Sequence, residues 1–438
     1  MWRGQLGAAT MQARGLRRLL SVLTVVTLLG LGGVLSIRDA LPAAAATTEL
    51  DDTFSTTALG ELPAGWSATT FGGTVTVAAL PDSTDRSLRL RKPDPVDSTS
   101  ATRRFLPLTG VVTVEARIRV SQTAGWFNVL YLASSDWTAA ASIAVRDGRF
   151  FNAGSGEYLI GAQANRWYAL RTVLNTTNRR FDCFVDGQRV LADAPFRGPA
   201  ADIARLTLGI GEGSAGTIHA DALTARWVPD PSVPYLVADQ FNADTVGSTP
   251  ARYRTDRAGG ATVVATPSDT DHSALLARAG AGGAVTALRE FPGQTGTVTV
   301  RVNAATDEVA GTKDALEVRG SDGRPAATVQ FVDGWLQLFD GGTGHRLVPV
   351  TVGEWYTIVL VLDVPARQFT LTVDGRRYPA GDGPAGDGPA GEGPADQAAP
   401  WWAFRDAAAS DVGQVAFAVA AGGPGTLRVD AVLAHAGP

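Results

Sequence analysis

The chain has 438 residues, of which 45% are hydrophobic and 18% charged, and its formal net charge is -5. This length allows two or three globular domains with separate cores, and the apolar content excludes a chain that is disordered throughout. Residues 1–46 contain five arginines and one aspartate, so without them 33 basic residues face 42 acidic ones, a net charge of -9. Binding to a phosphate backbone needs clustered positive charge, so we expect no nucleic-acid partner.

Residues 1–46 have the pattern of an export signal. The basic segment RGLRRLL precedes the apolar run of residues 19–37, and LPAAAATT then offers a cleavage site near Ala46. Arg17 and Arg18 also allow a twin-arginine signal. An uncleaved membrane anchor is another interpretation, because the apolar run is almost long enough to span a bilayer. All three predict a secreted or extracytoplasmic protein, which touches a membrane only through an uncleaved N-terminal segment. Only two lysines occur, which is typical of a high-GC bacterial coding bias.

The remaining residues contain an internal sequence repeat. TGVVTVEARIRV (109–120) matches TGTVTVRVNAAT (295–306) at a shift of 186, and GTIHADAL (216–223) matches GTLRVDAV (425–432) at 209. A nearly constant offset over about 180 residues predicts two tandem copies of one domain. We therefore expect one domain at 47–229, a Pro-rich linker at 230–235 and a second domain at 236–438. The repeats of PAGDG and PAGEG in the second copy have no apolar side chains to bury, which predicts a disordered insert at 379–396.

Each copy alternates apolar and polar residues with a period of two. In VVTVEARIRV, Val112, Val114 and Ile118 share one face, while Thr113 and Arg117 share the other. This is the pattern of a half-buried strand. Many such strands, separated by Gly, Asn, Asp and Pro, predict an all-β chain with a β-sandwich in each copy.

The single cysteine excludes an intramolecular disulfide, so stability must come from apolar cores. Cys183 lies in FDCFVDG, in phase with Phe181 and Val185, where the second copy has Leu371 in FTLTVDG. We interpret it as a core residue in preference to a reactive thiol.

The order W-Y-x-L-x-x-x-L, a turn and then F-x-x-x-V-D-G resembles the laminin-G-like and concanavalin A-like lectin/glucanase superfamily. The segments DDTF…LPAGW (51–66) and GTIHADAL are similar to bacterial jelly-roll modules attached to secreted polysaccharide-degrading enzymes. The resemblance implies two tandem concanavalin A-like β-sandwich (jelly-roll) domains, and its structural motifs say little about function.

The resemblance also implies a structural Ca²⁺, held in similar modules where the first and last strands meet. The matching residues are Asp52 and Asp221 in the first copy and Asp239 and Asp430 in the second. Calcium needs six to eight oxygen ligands, and these aspartates have the alternative role of accepting hydrogen bonds in turns.

No catalytic motif is present. Hydrolases of this superfamily resemble one another in a strand with Glu-x-Asp-x-x-Glu, because cleavage of a sugar bond needs two carboxylates on one face. Here Glu115 is followed by arginines, and Asp314, Glu317 and Asp322 do not share a period-two phase. The four histidines lack metal-ligand spacing, and neither a Gly-x-Ser-x-Gly elbow nor a phosphate-binding loop occurs. We therefore expect a protein that is not an enzyme.

Sugar binding needs aromatic faces beside polar groups. The segments GWFNVLYLASSDW and RDGRFFNAGSGEY supply aromatic candidates, whereas the matching stretch TDEVAGTKDALEVRGSDG has none. The candidate carbohydrate-binding residues are Trp126, Phe127, Tyr131, Trp137, Phe151 and Tyr158. Their alternative role is to fill a core, since alternation sends at most half of them outward. WWAF (401–404) is a second candidate.

These observations favour an exported, non-catalytic protein that binds an extracellular polysaccharide or cell-wall glycan through its first domain. Two alternatives stay open: a structural or adhesive spacer at the cell surface, and a polysaccharide-degrading hydrolase or lyase with an unrecognised site.

Overall fold

A computed structural model describes residues 47–437 except 81–84, 257–259, 266–270, 279–282, 341–342, 381–400 and 422–424. The expected signal or anchor at 1–46 lies outside the described residues, as does nearly all of the expected insert at 379–396. The described part of the chain contains no helix that is long and apolar enough to cross a membrane.

The first half of the described chain consists of strands. The fifteen strands are β1 Thr47–Asp52, β2 Trp66–Thr70, β3 Thr74–Ala79, β4 Arg86–Lys92, β5 Thr99–Leu108, β6 Val111–Val120, β7 Phe127–Ala133, β8 Ala139–Arg146, β9 Arg149–Asn152, β10 Glu157–Gly161, β11 Trp167–Asn175, β12 Arg180–Val185, β13 Gln188–Pro195, β14 Ile203–Ile210 and β15 Gly216–Val228.

These strands form two antiparallel sheets. Sheet A has the order β13-β12-β11-β6-β15-β4-β3, with β1 also paired to β15, and sheet B has the order β10-β9-β8-β7-β14-β5-β2. Their inward side chains form one apolar cluster that contains Leu90, Ile118, Phe127 and Leu208. The two sheets therefore make a β-sandwich, as the alternation of β6 predicts.

The second half repeats this plan. Its sixteen strands are β16 Tyr235–Asp239, β17 Arg254–Thr255, β18 Ala261–Ala265, β19 His272–Arg278, β20 Val285–Gln294, β21 Thr297–Ala305, β22 Thr312–Arg319, β23 Pro325–Val332, β24 Trp335–Asp340, β25 Thr343–Pro349, β26 Trp355–Asp363, β27 Gln368–Val373, β28 Arg376–Tyr378, β29 Trp402–Ala403, β30 Val412–Val419 and β31 Gly425–Ala436.

Sheet C has the order β18-β19-β31-β21-β26-β27-β28, with β16 paired to β31 and β29 to β27, and sheet D has the order β17-β20-β30-β22-β23-β24-β25. A second apolar cluster, which includes Val300, Leu360 and Phe417, lies among their inward side chains. The prediction of an all-β fold with two β-sandwiches is confirmed.

The outer face of sheet C packs against the first sandwich. Ala431 and Leu433 of β31 belong to the apolar cluster of the first sandwich, and Tyr235 and Ala238 pack against it. The connection between the last strand of one sandwich and the first strand of the other is six residues long, from 229 to 234. The second copy therefore contributes to the core of the first.

Arg301 of β21 is buried at this junction. Its side chain donates hydrogen bonds to Thr109 Oγ1 at 2.5 Å and to the carbonyl of Pro107. Its guanidinium also lies 5.4 Å from the ring centre of Trp227. The carboxylates of Asp202 and Glu49 partly offset the effect of burial, which lowers the pKa of Arg301. A buried cation held by groups of both sandwiches fixes the contact between them.

Cys183 lies in the core of the first sandwich, as predicted. It is fully buried on β12, opposite Thr172 and Leu191. Burial raises the pKa of its thiol to about 12, so the reactive thiolate is not populated at neutral pH.

Candidate functional site

The outer face of sheet B brings together most of the aromatic residues that the sequence singled out. Two rows of side chains cross this face. In one row Phe151 lies between Tyr158 and Ala144, and Ala144 pairs with Asn128. In the neighbouring row Tyr131 lies between Ser142 and Thr207. Trp126 stands at the start of β7, beside the first row.

Three of these rings form a continuous aromatic group, which we call the aromatic group of sheet B: Trp126, Phe151 and Tyr158. The centres of Trp126 and Phe151 are 5.6 Å apart in an edge-to-face arrangement, and those of Phe151 and Tyr158 are 5.0 Å apart. The guanidinium of Arg146 lies 5.7 Å from the Trp126 centre and 5.8 Å from that of Phe151. These contacts hold the rings in fixed orientations.

Polar side chains surround the aromatic group. Ser142 Oγ donates to Asn128 Oδ1 at 3.4 Å, and the hydroxyls of Thr102 and Thr207 lie 2.9 Å apart. The Tyr158 hydroxyl donates to Asp147 Oδ2 at 3.0 Å. Aromatic faces next to hydroxyl and amide groups are the combination that a sugar ring requires.

Trp137 lies on a turn beyond this group. It is 53% exposed, and the guanidinium of Arg205 lies 4.4 Å from its ring centre. Arg205 itself is buried and donates to the carbonyls of Ser134 and Ser135. Trp137 is therefore a second exposed ring on the same sandwich, separate from the aromatic group of sheet B.

The prediction for Phe127 was wrong. Its ring is fully buried in the core, where β7 pairs Phe127 with Val145 and Ile210. Alternation along β7 places Trp126 and Phe127 on opposite faces, so only one of two neighbouring aromatic residues can reach solvent.

Sequence reasoning missed three polar residues of this face: Asn128, Arg146 and Arg205. Asn128 and Tyr131 are three residues apart yet share the outer face, because the pairing of β7 with β8 shifts between Asn128 and Leu130. This β-bulge inserts one extra residue, Val129. A sequence pattern of strict alternation does not reveal this bulge. Arg146 could have been found, since it follows the apolar run of β8 directly.

The equivalent face of the second sandwich, on sheet D, carries an ion-pair network and two separate rings, Trp335 and Phe339 of β24. The guanidinium groups of Arg346 and Arg405 lie 5.4 Å and 5.7 Å from the centres of these two rings. Arg319 and Arg405 both bond to the carboxylate of Glu317, with the Arg405 Nη1 atom 3.4 Å from Oε2. Thr328 also donates to this carboxylate at 3.3 Å, and Gln330 donates to Asp314. The stretch that matches the aromatic segments of the first copy, residues 306–323, contributes no ring to this face.

Asp314 and Glu317 share the outer face of sheet D, which corrects the prediction that they differ in phase. Along β30 their partners are Ala418 and Ala416, two residues apart and therefore on one face. The register shift between Asp314 and Leu316 reveals a bulge at Ala315. Burial, and next the charge of Glu317, raise the pKa of Asp314. Asp322 is separate, in a turn where it pairs with Arg324.

The four aspartates of the calcium prediction have other partners. Asp52 accepts a hydrogen bond from Trp66 Nε1 at 2.8 Å and lies 3.4 Å from Arg103 Nε. In the second copy Asp239 lies 3.4 Å from Arg289 Nε. Ion pairs with arginine leave these carboxylates a poor fit to a cation.

The two aspartates of the last strands lie beside bulges. Asp221 pairs with Arg117 at 3.5 Å, and Asp430 accepts a hydrogen bond from the Ala431 amide at 2.6 Å. Within the described ranges of the chain, no group of three or more His, Cys, Asp or Glu residues is placed to hold a metal ion. Calcium binding stays a prediction from the resemblance alone.

The segment WWAF does not form a second platform. Trp402 is buried in the core of the second sandwich and donates from Nε1 to the carbonyl of Tyr378 at 2.8 Å. Of the three aromatic residues in this segment, only Trp401 is exposed, at 36%.

No family model matches this chain, and no curated protein matches it. Among solved structures it is similar to a sialidase with a TM-score of 0.37 and 10% identity, over 71% of this chain and 32% of the sialidase. It thus spans about a third of the sialidase chain. It is similar to a carbohydrate esterase, vb_24B_21, from the Shiga toxin-encoding bacteriophage phi24B, with a TM-score of 0.34 and 18% identity over 42% and 99% of the two chains.

A third similar structure is the N-terminal CBM22-1-CBM22-2 tandem domain from Paenibacillus barcinonensis Xyn10C. Its TM-score is 0.27 and its identity 12%, over 90% of this chain and 99% of the other. TM-scores this low carry no argument about function. The functional argument therefore depends on the side chains of the two sandwiches.

Proposed function

We propose that this chain is an exported, non-catalytic glycan-binding protein, and that the aromatic group of sheet B is its binding site. The observation that carries the proposal is the placement of Trp126, Phe151 and Tyr158 on one outer face, in mutual contact and beside hydroxyl and amide groups. Stacking on Trp126 and Tyr158, which contact the buried Phe151 from either side, contributes apolar contact with the sugar, while Asn128 offers hydrogen bonds. Export is supported by the pattern of residues 1–46.

The experiment that tests the proposal uses the exported full-length protein. A panel of plant, algal and bacterial cell-wall polysaccharides is screened by affinity electrophoresis, and the glycan that binds is titrated by calorimetry. Trp126→Ala and Tyr158→Ala should each weaken binding by about tenfold or more, because a central aromatic contact is worth more than about 1 kcal/mol. Trp401→Ala, a change of an exposed tryptophan in the second sandwich, is the matched control and should bind as the wild type does.

Two results would contradict the proposal. If no polysaccharide of the panel binds, the chain is better explained as a structural or adhesive spacer. If Trp126→Ala binds as tightly as Trp401→Ala, the site lies elsewhere. Unfolding temperatures of all variants, measured alongside, separate a lost contact from a lost fold.

A second candidate function is glycan cleavage on sheet D, because Asp314 and Glu317 share its outer face. A carboxyl group with a raised pKa next to an ionised carboxylate is the arrangement of a general acid and its partner. The pairing of Glu317 with two arginines argues against this role, since each of its carboxylate oxygens already has an arginine partner. Release of reducing ends or of unsaturated products from the same panel, lost in Asp314→Asn, would support the enzyme.

A further inference from the structure

The outer face of sheet A, on the opposite side of the first sandwich, is rich in arginine. On its four central strands this face carries six arginines against two acids, Glu115 and Asp221, in a chain whose net charge is -5. These arginines lie on four neighbouring strands: Arg89, Arg91, Arg117, Arg119, Arg171 and Arg226. A local positive face on an acidic protein calls for a physical explanation.

One row of side chains crosses the centre of this face. The register places Trp167 opposite Arg119, Arg119 opposite His219, and His219 opposite Arg89. Arg119 and Arg89 are two strands apart, about 9.5 Å between backbones, and His219 lies between them. No acidic residue occurs in this row, and the salt bridge nearest to it joins Arg117 to Asp221 at 3.5 Å.

The two arginines of this row have donors that no group among the described residues accepts. The Nε and Nη1 atoms of Arg119 and the Nε atom of Arg89 are shielded from solvent and have no hydrogen-bond partner. Arg89 donates a long hydrogen bond from Nη2 to Thr76 Oγ1, at 3.4 Å. Shielded charged donors normally have acceptors, so the two guanidinium groups have hydrogen-bonding capacity that the described residues do not use.

The state of His219 agrees with a positive potential on the row. Burial and then the charges of Arg119 and Arg89 lower its pKa to about 4, so the ring is neutral at pH 7. Its Nδ1 lies 2.9 Å from the hydroxyl of the buried Ser87. The neutral ring adds no charge of its own and separates the two guanidinium groups.

We infer that the row of Trp167, Arg119, His219 and Arg89 is a second binding site, which takes an anionic group of an acidic polysaccharide. A carboxylate or sulfate placed over His219 accepts hydrogen bonds from both guanidinium groups, and Trp167 offers a ring edge to the sugar that carries it. The choice of a glycan rests on the proposed function, whereas the choice of an anion rests on this row alone.

The test uses the full-length protein and three probes in affinity electrophoresis: polygalacturonate, its fully methyl-esterified form and dextran sulfate. Polygalacturonate, dextran sulfate or both should retard the protein, and the uncharged ester should not. The source of the anion is read from which of the two charged probes binds. Arg119→Gln and Arg89→Gln should each lower the affinity for that probe by about tenfold, as expected for the loss of a charge-assisted contact. Arg226→Gln, which removes an exposed charge from the same face outside the row, should lower it by less than about twofold.

Three outcomes would overturn the inference: equal binding of polygalacturonate and its ester, no binding of either charged probe, or equal effects of Arg119→Gln and Arg226→Gln. Binding of a DNA oligonucleotide as tightly as the best glycan would assign the face to a different partner and would overturn it as well. Trp126→Ala distinguishes this site from the proposed one. It should leave the binding of the charged probe unchanged, so failure of the aromatic site does not decide this one.

Discussion

The two sandwiches have the same strand plan and opposite surface chemistry. At the same place in each copy, a bulge turns two residues three apart onto one outer face: Asn128 and Tyr131 in the first, Asp314 and Glu317 in the second. In the first copy the neighbouring position on the next strands is Phe151, and in the second it is Gln337. The duplicated backbone thus presents a continuous aromatic group on sheet B, and on sheet D an ion-pair network with two separate rings, Trp335 and Phe339.

Sheets A and C, the other pair of equivalent sheets, also differ in their outer faces. The outer face of sheet A is exposed and arginine-rich, whereas the outer face of sheet C is covered by the first sandwich around Arg301. The residue equivalent to Arg301 is Glu115, which pairs with Arg171 as Arg301 pairs with Val359. This change of residue type accompanies the change from open face to buried junction, as do the changes from Arg117 to Asn303 and from Arg119 to Ala305 on the same strand.

The largest loss of stability should come from a substitution of Arg301. Arg301→Met removes the buried hydrogen bonds to Thr109 and Pro107, and a hydrogen bond to a charged group contributes about 1.5–3 kcal/mol. Glu115→Met, at the equivalent position, should change the free energy of unfolding by less than about 0.5 kcal/mol because the side chain faces solvent. Chemical unfolding of both variants in urea checks this. Equal losses would remove the distinction between the two faces.

The ion-pair network of sheet D should be the next most sensitive. Glu317→Gln removes the charge that Arg319, Arg405 and Thr328 share, and hydrogen bonds to charged groups contribute about 1.5–3 kcal/mol. Tyr131→Phe, the equivalent change on sheet B, should cost less than about 0.5 kcal/mol. Thermal unfolding of the two variants gives the comparison, and a tyrosine variant as unstable as the glutamine one would argue that both faces are structural.

The acids near the junction predict a pH dependence. Burial raises the pKa of Glu49 and of Asp271 to about 7. An unfolded chain releases these protons near pH 4, so the protonated native form is favoured at low pH. The stability they contribute is complete below about pH 4 and is lost as the pH rises to about 7. His219, with its pKa lowered to about 4, acts in the opposite direction below pH 6.5.

The variant Glu49→Gln isolates the carboxyl contribution, because His219 is common to both proteins. It should unfold at a higher temperature than the wild type at pH 8 and at nearly the same temperature at pH 5. Asp85→Asn, a change of the exposed aspartate equivalent to Asp271, is the control. A Glu49→Gln protein with the full pH dependence of the wild type would show that Glu49 is not the responsible group.

The smallest effect on folding and on glycan affinity should come from a substitution of Cys183. Its buried thiol, with a pKa of about 12, should not react with an aromatic disulfide reagent in the native protein and should react once in guanidinium chloride. Cys183→Ala should fold and should keep the glycan affinity of the wild type. Rapid labelling of the native protein would place Cys183 outside the core that Leu371 occupies in the second copy.

The sequence determined the features that depend on local alternation. The period of two in VVTVEARIRV and the repeated offset predicted two β-sandwiches, and the phase of FDCFVDG placed Cys183 inward. The lack of rings in residues 306–323, which match the aromatic segments of the first copy, could also be read directly from the sequence. These inferences were correct because the side chains of a strand alternate between faces whatever the rest of the fold does.

Only the tertiary structure decided which members of each aromatic or acidic group share a face. Phe127 lies in the core and Trp126 lies outside it. Which of the two faces inward at the start of β7 depends on the pairing of this strand with β8 and β14. The bulges at Val129 and Ala315 leave no mark in the sequence, since they arise from the register between strands. The burial of Arg301 and the unpartnered donors of Arg119 and Arg89 depend on which sheet face a second sandwich covers, and that is settled by packing between residues nearly two hundred positions apart.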